Sequence, residues 1–528
     1  MGNRPNAAAL IELVLDEGSW ESWDTTPEYG EIGDDYRADL AAAREKSGVD
    51  EAVITGAGLM HGRRVAVVAS EFGFLAGSIG RATAERLIAA VRRATAEGLP
   101  LLAAPASGGT RMQEGTPAFV QMVRIGEAVA AHKAAGLPYL VYLRHPTTGG
   151  VMASWGSLGH VTVAEPGALL GFLGPKVYEV LQGRPFPAGV QVAENLYAHG
   201  IVDGVVPPEE IAQLLDRALT ILTSRPAVVE VRGAPAVVEV RGAPAVVEVR
   251  GAPAPSLETT DGLETTDGFE ARSARASTSC ATWDAITRSR RPDRPGVRAL
   301  LKLAASDVVP LNGTGQGERD PGAMTALARF GDAPCLVLAQ DRREQAHQPF
   351  GPEGLREAQR GLRLAADLGL PVLTVIDTRG AALSPEAENG GLAGEIARCL
   401  AALVTVKAPT LCLMLGEGNG GGALALLPAD RVVAAQHAWL SPLPPEGASA
   451  IVYGDGEHAA ELAERQRVLA IELAAIGVVD RIVPELPDAA DEREAFCRRV
   501  GAVLREELTG LLAAGPGTPE TRAARYAF

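Results

Sequence analysis

Leu-Pro opens an apolar run at residue 99 and again at residue 370, and each time a glycine follows ten residues after the leucine, at Gly109 and Gly380. Further on, Leu137-Pro138 leads in 13 residues to Gly150, and Ala408-Pro409 leads in 14 to Gly422. The spacing from Gly109 to Gly150 is therefore 41, and from Gly380 to Gly422 it is 42. A chain that repeats strand, glycine turn and helix on both sides of its midpoint is confined to a duplicated α/β architecture, because buried apolar strands need helices over them. The most informative turn is Ser107-Gly108-Gly109-Thr110-Arg111-Met112-Gln113-Glu114-Gly115. Paired glycines leave backbone N–H groups bare, so an oxygen that turns negative during a reaction finds donors there. Four such turns in register predict two oxyanion sites, one per half.

The elements around these turns follow the same logic. Apolar periodicity predicts helices over 7–16, 35–46, 82–96 and 118–133, with strands over 52–55, 64–70, 99–104 and 139–143. In the second half it predicts a helix over 282–302, then strands over 334–339, 371–377 and 410–415 with helices over 354–368 and 392–404 between them, and a charged helix over 489–512. Hydrophobic content of 47% with only 4% aromatics makes the expected core one of Ala, Val and Leu.

The texture breaks between the halves. Pro-Ala-Val-Val-Glu-Val-Arg-Gly-Ala occurs three times in tandem, from Pro226, Pro235 and Pro244, and Leu-Glu-Thr-Thr-Asp-Gly twice, from Leu257 and Leu263. Periods of nine and six are too short for solenoid units. The stretch 223–281 reads as a low-complexity, disordered linker between a domain over 1–222 and another over 282–528.

A net charge of −16 argues against nucleic acid and anionic membrane surfaces as partners. The five cysteines, at 280, 335, 399, 412 and 497, show no C-x-x-C spacing, so neither zinc nor any other metal site is predicted. With no long apolar run to span a membrane and no secretory core behind Met1-Gly-Asn-Arg-Pro-Asn, the expectation is a cytoplasmic protein.

At these residues the sequence resembles the carboxyltransferase component of biotin-dependent acetyl-CoA carboxylases. The first half is similar to the bacterial β subunit through Glu71-Phe-Gly-Phe-Leu-Ala-Gly-Ser-Ile-Gly80, Ser107–Glu114, His145-Pro-Thr-Thr-Gly-Gly150 and Val163-Ala-Glu-Pro-Gly-Ala-Leu-Leu-Gly-Phe172. The second half is similar to the α subunit through Thr282-Trp-Asp-Ala, Arg291-Pro-Asp-Arg-Pro295, Phe350-Gly-Pro-Glu-Gly354, Ile376-Asp-Thr-Arg-Gly-Ala381, Gly416-Glu-Gly-Asn-Gly-Gly-Gly-Ala-Leu424 and Pro445-Glu-Gly-Ala-Ser-Ala450. Joined in one chain, the halves resemble the fused carboxyltransferases of actinobacteria.

The resemblance implies an α/β fold of two crotonase-like β-β-α superhelix domains. It implies transfer of a carboxyl group from carboxybiotin, carried on a partner protein, to the α-carbon of acetyl-CoA or another acyl-CoA. The partners would be a biotin carboxylase and a biotin carboxyl carrier protein, and the enzyme a homo-oligomer, dimer or hexamer. By the same resemblance Gly108 and Gly109 with Gly150 and Val151 hold the acyl-CoA oxygen, and Gly380 and Ala381 with Gly422 and Ala423 hold the biotin oxygen. Ser107, Thr110, Arg111, Gly149 and Lys176 are candidates for acyl-CoA contact, and Arg379, Gly420 and Gly421 for biotin contact. Arg111 with Glu114 also reads as a structural pair or helix-start contact, and His145 and His160 as structural histidines. The chain departs from the family at Arg379, where proline is usual, at Asn419-Gly420, where Gly-Ser is usual, at Thr110, where alanine is common, and in lacking the zinc ribbon of the β subunit. Two other readings stay open: a biotin-independent malonyl-thioester decarboxylase, and an inactive scaffold that lost biotin access at Arg379 and Asn419.

Overall fold

A hairpin starts each half. In the computed structural model, which describes residues 4–223 and 278–528, β1 (Val53–Met60) and β2 (Arg63–Ser70) pair antiparallel. Their two-residue turn, His61-Gly62, has both φ values positive, at 48° and 77°, the conformation that matches the natural twist of a hairpin. Three parallel strands follow in order: β3 (Leu101–Ala104), β4 (Tyr139–Leu143) and β5 (Val161–Ala164). Glu21–Ser22 and Gly204–Val205 close the edges of this seven-stranded sheet.

The second half repeats the order. β6 (Ala323–Phe330) and β7 (Ala333–Gln340) form the hairpin, and β8 (Val372–Thr378), β9 (Thr410–Asn419) and β10 (Arg431–Ala435) continue in parallel. Every residue of β3, β4, β8 and β9 is buried, as parallel strands covered on both faces must be. The helices in register are α1 (Arg81–Ala96) and α2 (Gln121–Ala134) in the first half, and α3 (Pro352–Leu368) and α4 (Leu392–Thr405) in the second. In each half a second strand turns off the main sheet: Thr147–Thr148 pairs with Leu170–Gly171, and the end of β9, Glu417–Asn419, pairs with Trp439–Ser441. This is the β-β-α superhelix, built twice.

Local details differ from the sequence pattern for identifiable reasons. The helix expected over 282–302 is two, Thr278–Ser289 and Val297–Ala304, because Pro292 and Pro295 lack the N–H a helix interior needs. The helix expected over 118–133 divides at Val120 into Thr116–Phe119 and α2. β9 runs four residues past its apolar stretch, and its continuation is hidden by glycines; a Cβ on Gly418 would stand 2.8 Å from the Trp439 carbonyl oxygen. The tandem repeats fall within 224–277, outside the described residues. Among the described residues no helix is long and apolar enough to cross a membrane.

The halves share one hydrophobic core. α2 lies on α4, its own counterpart, with Gly126 over Leu400 so closely that a Cβ would stand 2.9 Å from the leucine. Pro175–Gln182 lies on Pro445–Val452. The Thr116 hydroxyl donates to the Leu440 carbonyl at 2.9 Å, and the Gln121 amide to the Tyr526 carbonyl at 2.8 Å. Behind α4, the buried Arg522 guanidinium donates to the carbonyls of Val404, Val406 and Ala408 and pairs with Asp430 at 2.8 Å. It satisfies the carbonyls a helix C-terminus leaves without partners. Arg522→Leu strips that cap and leaves Asp430 without this cation, so urea unfolding is expected to show a loss of about 3–5 kcal/mol.

Candidate active site

The first turn follows β3. Its backbone bonds are largely committed: Ser107 N–H donates to the Pro146 carbonyl at 2.6 Å, Gly108 N–H to the Ala76 carbonyl at 2.9 Å, and Gly109 N–H to the Ser107 hydroxyl at 3.0 Å. Gly109, at φ 110°, lies against Gly149, at φ 63°. A Cβ on Gly109 would stand 3.3 Å from the Gly149 Cα and the Gly150 nitrogen, so two main chains meet where no side chain fits. Thr110 bridges Ile79 through its neighbours: Ile79 N–H donates to the Gly109 carbonyl and Arg111 N–H to the Ile79 carbonyl, both at 2.9 Å. Such a parallel bridge turns the N–H of Thr110 away from Ile79. Gly150 and Val151 lie in the first turn of the short helix Gly149–Met152, where N–H groups lack an intrahelical carbonyl. Among the described residues the uncommitted donors here are therefore those of Thr110, Gly150 and Val151. The expected donors Gly108 and Gly109 are already spent.

Arg111 is not a ligand-facing residue. It is fully buried and pairs with the equally buried Glu51 at 2.6 Å. It also donates to the Ser78 carbonyl, the Thr83 hydroxyl and the Tyr36 hydroxyl at 2.8, 3.0 and 3.2 Å. Its place as an acyl-CoA contact is corrected to that of a buried anchor, which the packing demands because an ionised group inside a protein must be paired. Glu114 lies 3.8 Å from Arg111 and accepts the Arg81 N–H at 2.7 Å, so it is the helix-start contact of α1. Burial alone would push the Glu51 carboxyl up, yet its bonds from Arg111 outweigh that and hold it below its ordinary 4.5.

The second turn follows β8 and is the same object displaced by 271 residues. Ser107 and Thr378, Gly109 and Gly380 (φ 121°), Thr110 and Ala381, and Gly149 and Gly420 (φ 61°) correspond one to one. So do the first residues of α1 and α3 and of α2 and α4. The register is constant through both turns, so Gly150 matches Gly421 and Val151 matches Gly422; the sequence alignment of Gly150 with Gly422 slips by one residue. Gly380 N–H is spent on the Thr378 hydroxyl at 3.1 Å, as Gly109 N–H is on Ser107. Ala423 is the fourth residue of the helix Gly420–Leu424, so its N–H belongs to that helix's own ladder. Among the described residues the donors left are those of Ala381, Gly421 and Gly422. A Cβ on Gly422 would stand 3.3 Å from the Ala381 nitrogen, which puts these donors side by side. Gly422 is held from behind by the Gln340 amide, which donates to its carbonyl at 2.8 Å.

The remaining candidates separate. Arg379 occupies the counterpart of Gly108, is exposed, and forms no ion pair or hydrogen bond among the described residues. Lys176 lies in the helix Pro175–Gln182, and its side chain falls outside the described residues. His145 and His160 each accept a backbone N–H at 3.0 Å, from Leu169 and Tyr139, and are structural. Asn419 is buried, donates to Glu417 at 2.8 Å and packs under Gly380. Two residues enter the site that were not among its candidates: Phe172, which closes the motif that starts at Val163 and whose carbonyl accepts the Gly149 N–H at 2.9 Å, and Glu388, which holds the Phe172 N–H and stands in no motif.

A duplicated β-β-α superhelix with a donor turn in each half is the layout of a crotonase-type enzyme. Residues 6–214 match the carboxyl transferase domain family, and residues 260–527 match the acetyl co-enzyme A carboxylase carboxyltransferase-like family. The chain is 54% identical to the probable biotin-dependent acyl-coenzyme A carboxylase beta3 subunit of Mycobacterium tuberculosis (strain ATCC 25618 / H37Rv), covering 98% of this chain and 97% of that one. It is 37% identical to the acetyl-coenzyme A carboxylase carboxyl transferase subunits beta/alpha of Parafrankia sp. (strain EAN1pec), covering 97% and 83%. Among solved structures, transcarboxylase 12S, a hexamer described with methylmalonyl-coenzyme A bound, aligns over 98% of this chain and 91% of its own at 18% identity and a TM-score of 0.36. The chain belongs to the carboxyltransferase family of biotin-dependent acyl-CoA carboxylases.

Removing the anchor tests the site's foundation. Arg111→Met leaves Glu51 buried without its cation and is expected to cost about 3–5 kcal/mol at neutral pH. The parent's Glu51 is depressed, so its stabilisation holds above 4.5 and is lost as the pH falls through the lower folded value. In the variant burial raises the same carboxyl. The gap in melting temperature between parent and variant is thus expected to be widest at neutral pH and to narrow toward and below 4.5.

Proposed function

We propose that the protein transfers a carboxyl group from carboxybiotin to the α-carbon of an acyl-CoA, with acetyl-CoA giving malonyl-CoA as the simplest case. The observation that carries this reading is the repeated donor set, Thr110 with Gly150 and Val151, then Ala381 with Gly421 and Gly422 at a constant displacement. The first set would hold the thioester oxygen of the acyl-CoA, the second the ureido oxygen of biotin. A thioester α-proton is weakly acidic, and its loss places negative charge on the thioester oxygen. Fixed N–H donors lower that barrier, each by about 3–4 kcal/mol.

The second turn fits the biotin group. A ureido oxygen needs paired donors, which Ala381 with Gly421 and Gly422 would supply, and a carboxylate favours a cation, which the exposed Arg379 would supply. Carboxybiotin brings the carboxyl group and then a ureido nitrogen able to take the α-proton. No side-chain base is asked of this chain, in keeping with the structural engagement of Ser107, His145 and His160. Biotin would arrive on a carrier protein loaded by a biotin carboxylase, since the relatives are named as subunits of such carboxylases. We take the working form to be a cytoplasmic homo-oligomer, dimer or hexamer, and the division of labour to follow the two halves, 1–222 for acyl-CoA and 282–528 for biotin.

Malonyl-CoA and free biotin test the reading in reverse: the parent is expected to form acetyl-CoA and carboxybiotin, whereas CO2 release without biotin carboxylation would make it a decarboxylase. Gly149→Ala forces a Cβ to within 3.1 Å of the Gly109 Cα and parts the first turn, so kcat is expected to fall by about 10²–10³-fold. At Gly420 the nearest atom to a Cβ is the Pro442 carbonyl oxygen at 3.5 Å, so Gly420→Ala bears only left-handed strain, on the order of tenfold.

Arg379 has its own test. Arg379→Ala is expected to raise the KM for biotin about tenfold, the size of one charge-assisted bond, with that for malonyl-CoA unchanged. An unchanged biotin KM removes the role, and a gain of transfer in Arg379→Pro from an inactive parent would make the chain a scaffold.

A further inference from the structure

Glu388 lies in the short helix Pro385–Asn389 of the second half, yet its carboxylate is spent on the first half. It accepts the Phe172 N–H at 2.9 and 3.1 Å through its two oxygens, and the Gln191 side-chain amide at 2.7 Å. Glu388 is buried, and no Lys or Arg pairs with it among the described residues. A carboxylate buried without a cation is costly and persists only where hydrogen-bond donors are built around it. Burial pushes its carboxyl up, against the pull of the Gln191 and Phe172 donors.

What those donors belong to gives the arrangement its meaning. Phe172 touches both glycine turns. Its carbonyl accepts the Gly149 N–H at 2.9 Å, directly before the donors Gly150 and Val151. Its ring covers Gly421, where a Cβ would stand 2.8 Å from Cε2. Gly149 is wedged on Gly109 by backbone contact, so a small displacement of the Phe172 carbonyl moves one edge of the first donor set against the other. Resting on the carboxyltransferase reading above, we propose that Glu388 is a positioning residue for the acyl-CoA turn, acting across the junction through Phe172. Phe172 would thereby tie the geometry of one turn to that of the other.

Two variants separate this from mere structural support. Glu388→Gln turns one acceptor into a donor facing the Phe172 N–H; malonyl-CoA affinity, measured by calorimetry on the full chain, is expected to fall at least tenfold. Phe172→Leu keeps the carbonyl and trims the ring; the biotin KM is expected to rise about fivefold, with malonyl-CoA affinity within twofold of the parent. If Glu388→Gln does not fold, Gln191→Leu removes one clamp from the same carboxylate and is expected to weaken malonyl-CoA binding about threefold. Parental malonyl-CoA affinity in folded Glu388→Gln, or in Gln191→Leu where that variant stands in, overturns the proposal, as does a Phe172→Leu variant that changes both ligands alike. A parent that binds malonyl-CoA but never carboxylates biotin would overturn the functional reading instead, and the calorimetry would still score Glu388.

Discussion

Two main chains meeting without side chains between them is the constraint on which this protein is built. Gly109 and Gly149 approach until a single methyl on either would strike the other's backbone, and both need positive φ to do so. That contact brings together the main chains that carry the Thr110 and Gly150 N–H groups, neither of which has a protein partner among the described residues. Everything around it serves to hold polar backbone in an interior where it would otherwise cost free energy. The flanking strands are buried throughout, α1 begins at the glycine N-cap Gly80, and the turn's other N–H groups are consumed by Ala76, Pro146 and the Ser107 hydroxyl.

The halves solve the same holding problem with different chemistry. In the first, a buried ion pair, Arg111 with Glu51, gathers Tyr36, Ser78 and Thr83 around the loop that leaves the turn. In the second, Ala382 stands where Arg111 does, and side-chain amides with one carboxylate, Asp320, take over. The Gln345 side-chain carbonyl accepts the Thr378 hydroxyl at 2.7 Å, and Gln340 bridges the Asp377 N–H at 3.3 Å and the Gly422 carbonyl at 2.8 Å. Asp320 accepts the N–H groups of Gly322 and Gly351, both at 2.7 Å, at the foot of α3. A charged anchor is strong but depends on both partners staying ionised, while amide networks are indifferent to pH.

The duplicated fold was legible in sequence because strand entry at Leu-Pro and exit at glycine are local signals. The repeated strand order of the two sheets agrees with that reading. The helix and strand beginnings in the second half were close for the same reason, and the disagreements fall where local signals run out. An arginine inside a glycine turn looks like a ligand for an anion, and only the distant Glu51 reveals it as an anchor. The one-residue slip at Gly422 came from Gly420-Gly421-Gly422, where three glycines offer no side chain to fix the register and φ alone distinguishes the first. Gly108 and Gly109 carry the motif, yet their N–H groups are committed, because a sequence shows which nitrogens are bare of side chains but not which are bare of partners. Phe172 and Glu388 belong to opposite halves, and nothing local links them.

α2 packs on α4, and Pro175–Gln182 on Pro445–Val452, so each half offers the other the same surface it receives. Within a single polypeptide this is the geometry of a two-fold homodimer, with self-complementary faces. Separate subunits meeting through such faces dissociate on dilution. A covalent connection replaces their concentration by a fixed local one, set by chain length and not by how much protein is present. The assembly of this core is therefore unimolecular, and the two turns, together with the Phe172 contact that spans them, persist at any protein concentration at which the chain is folded.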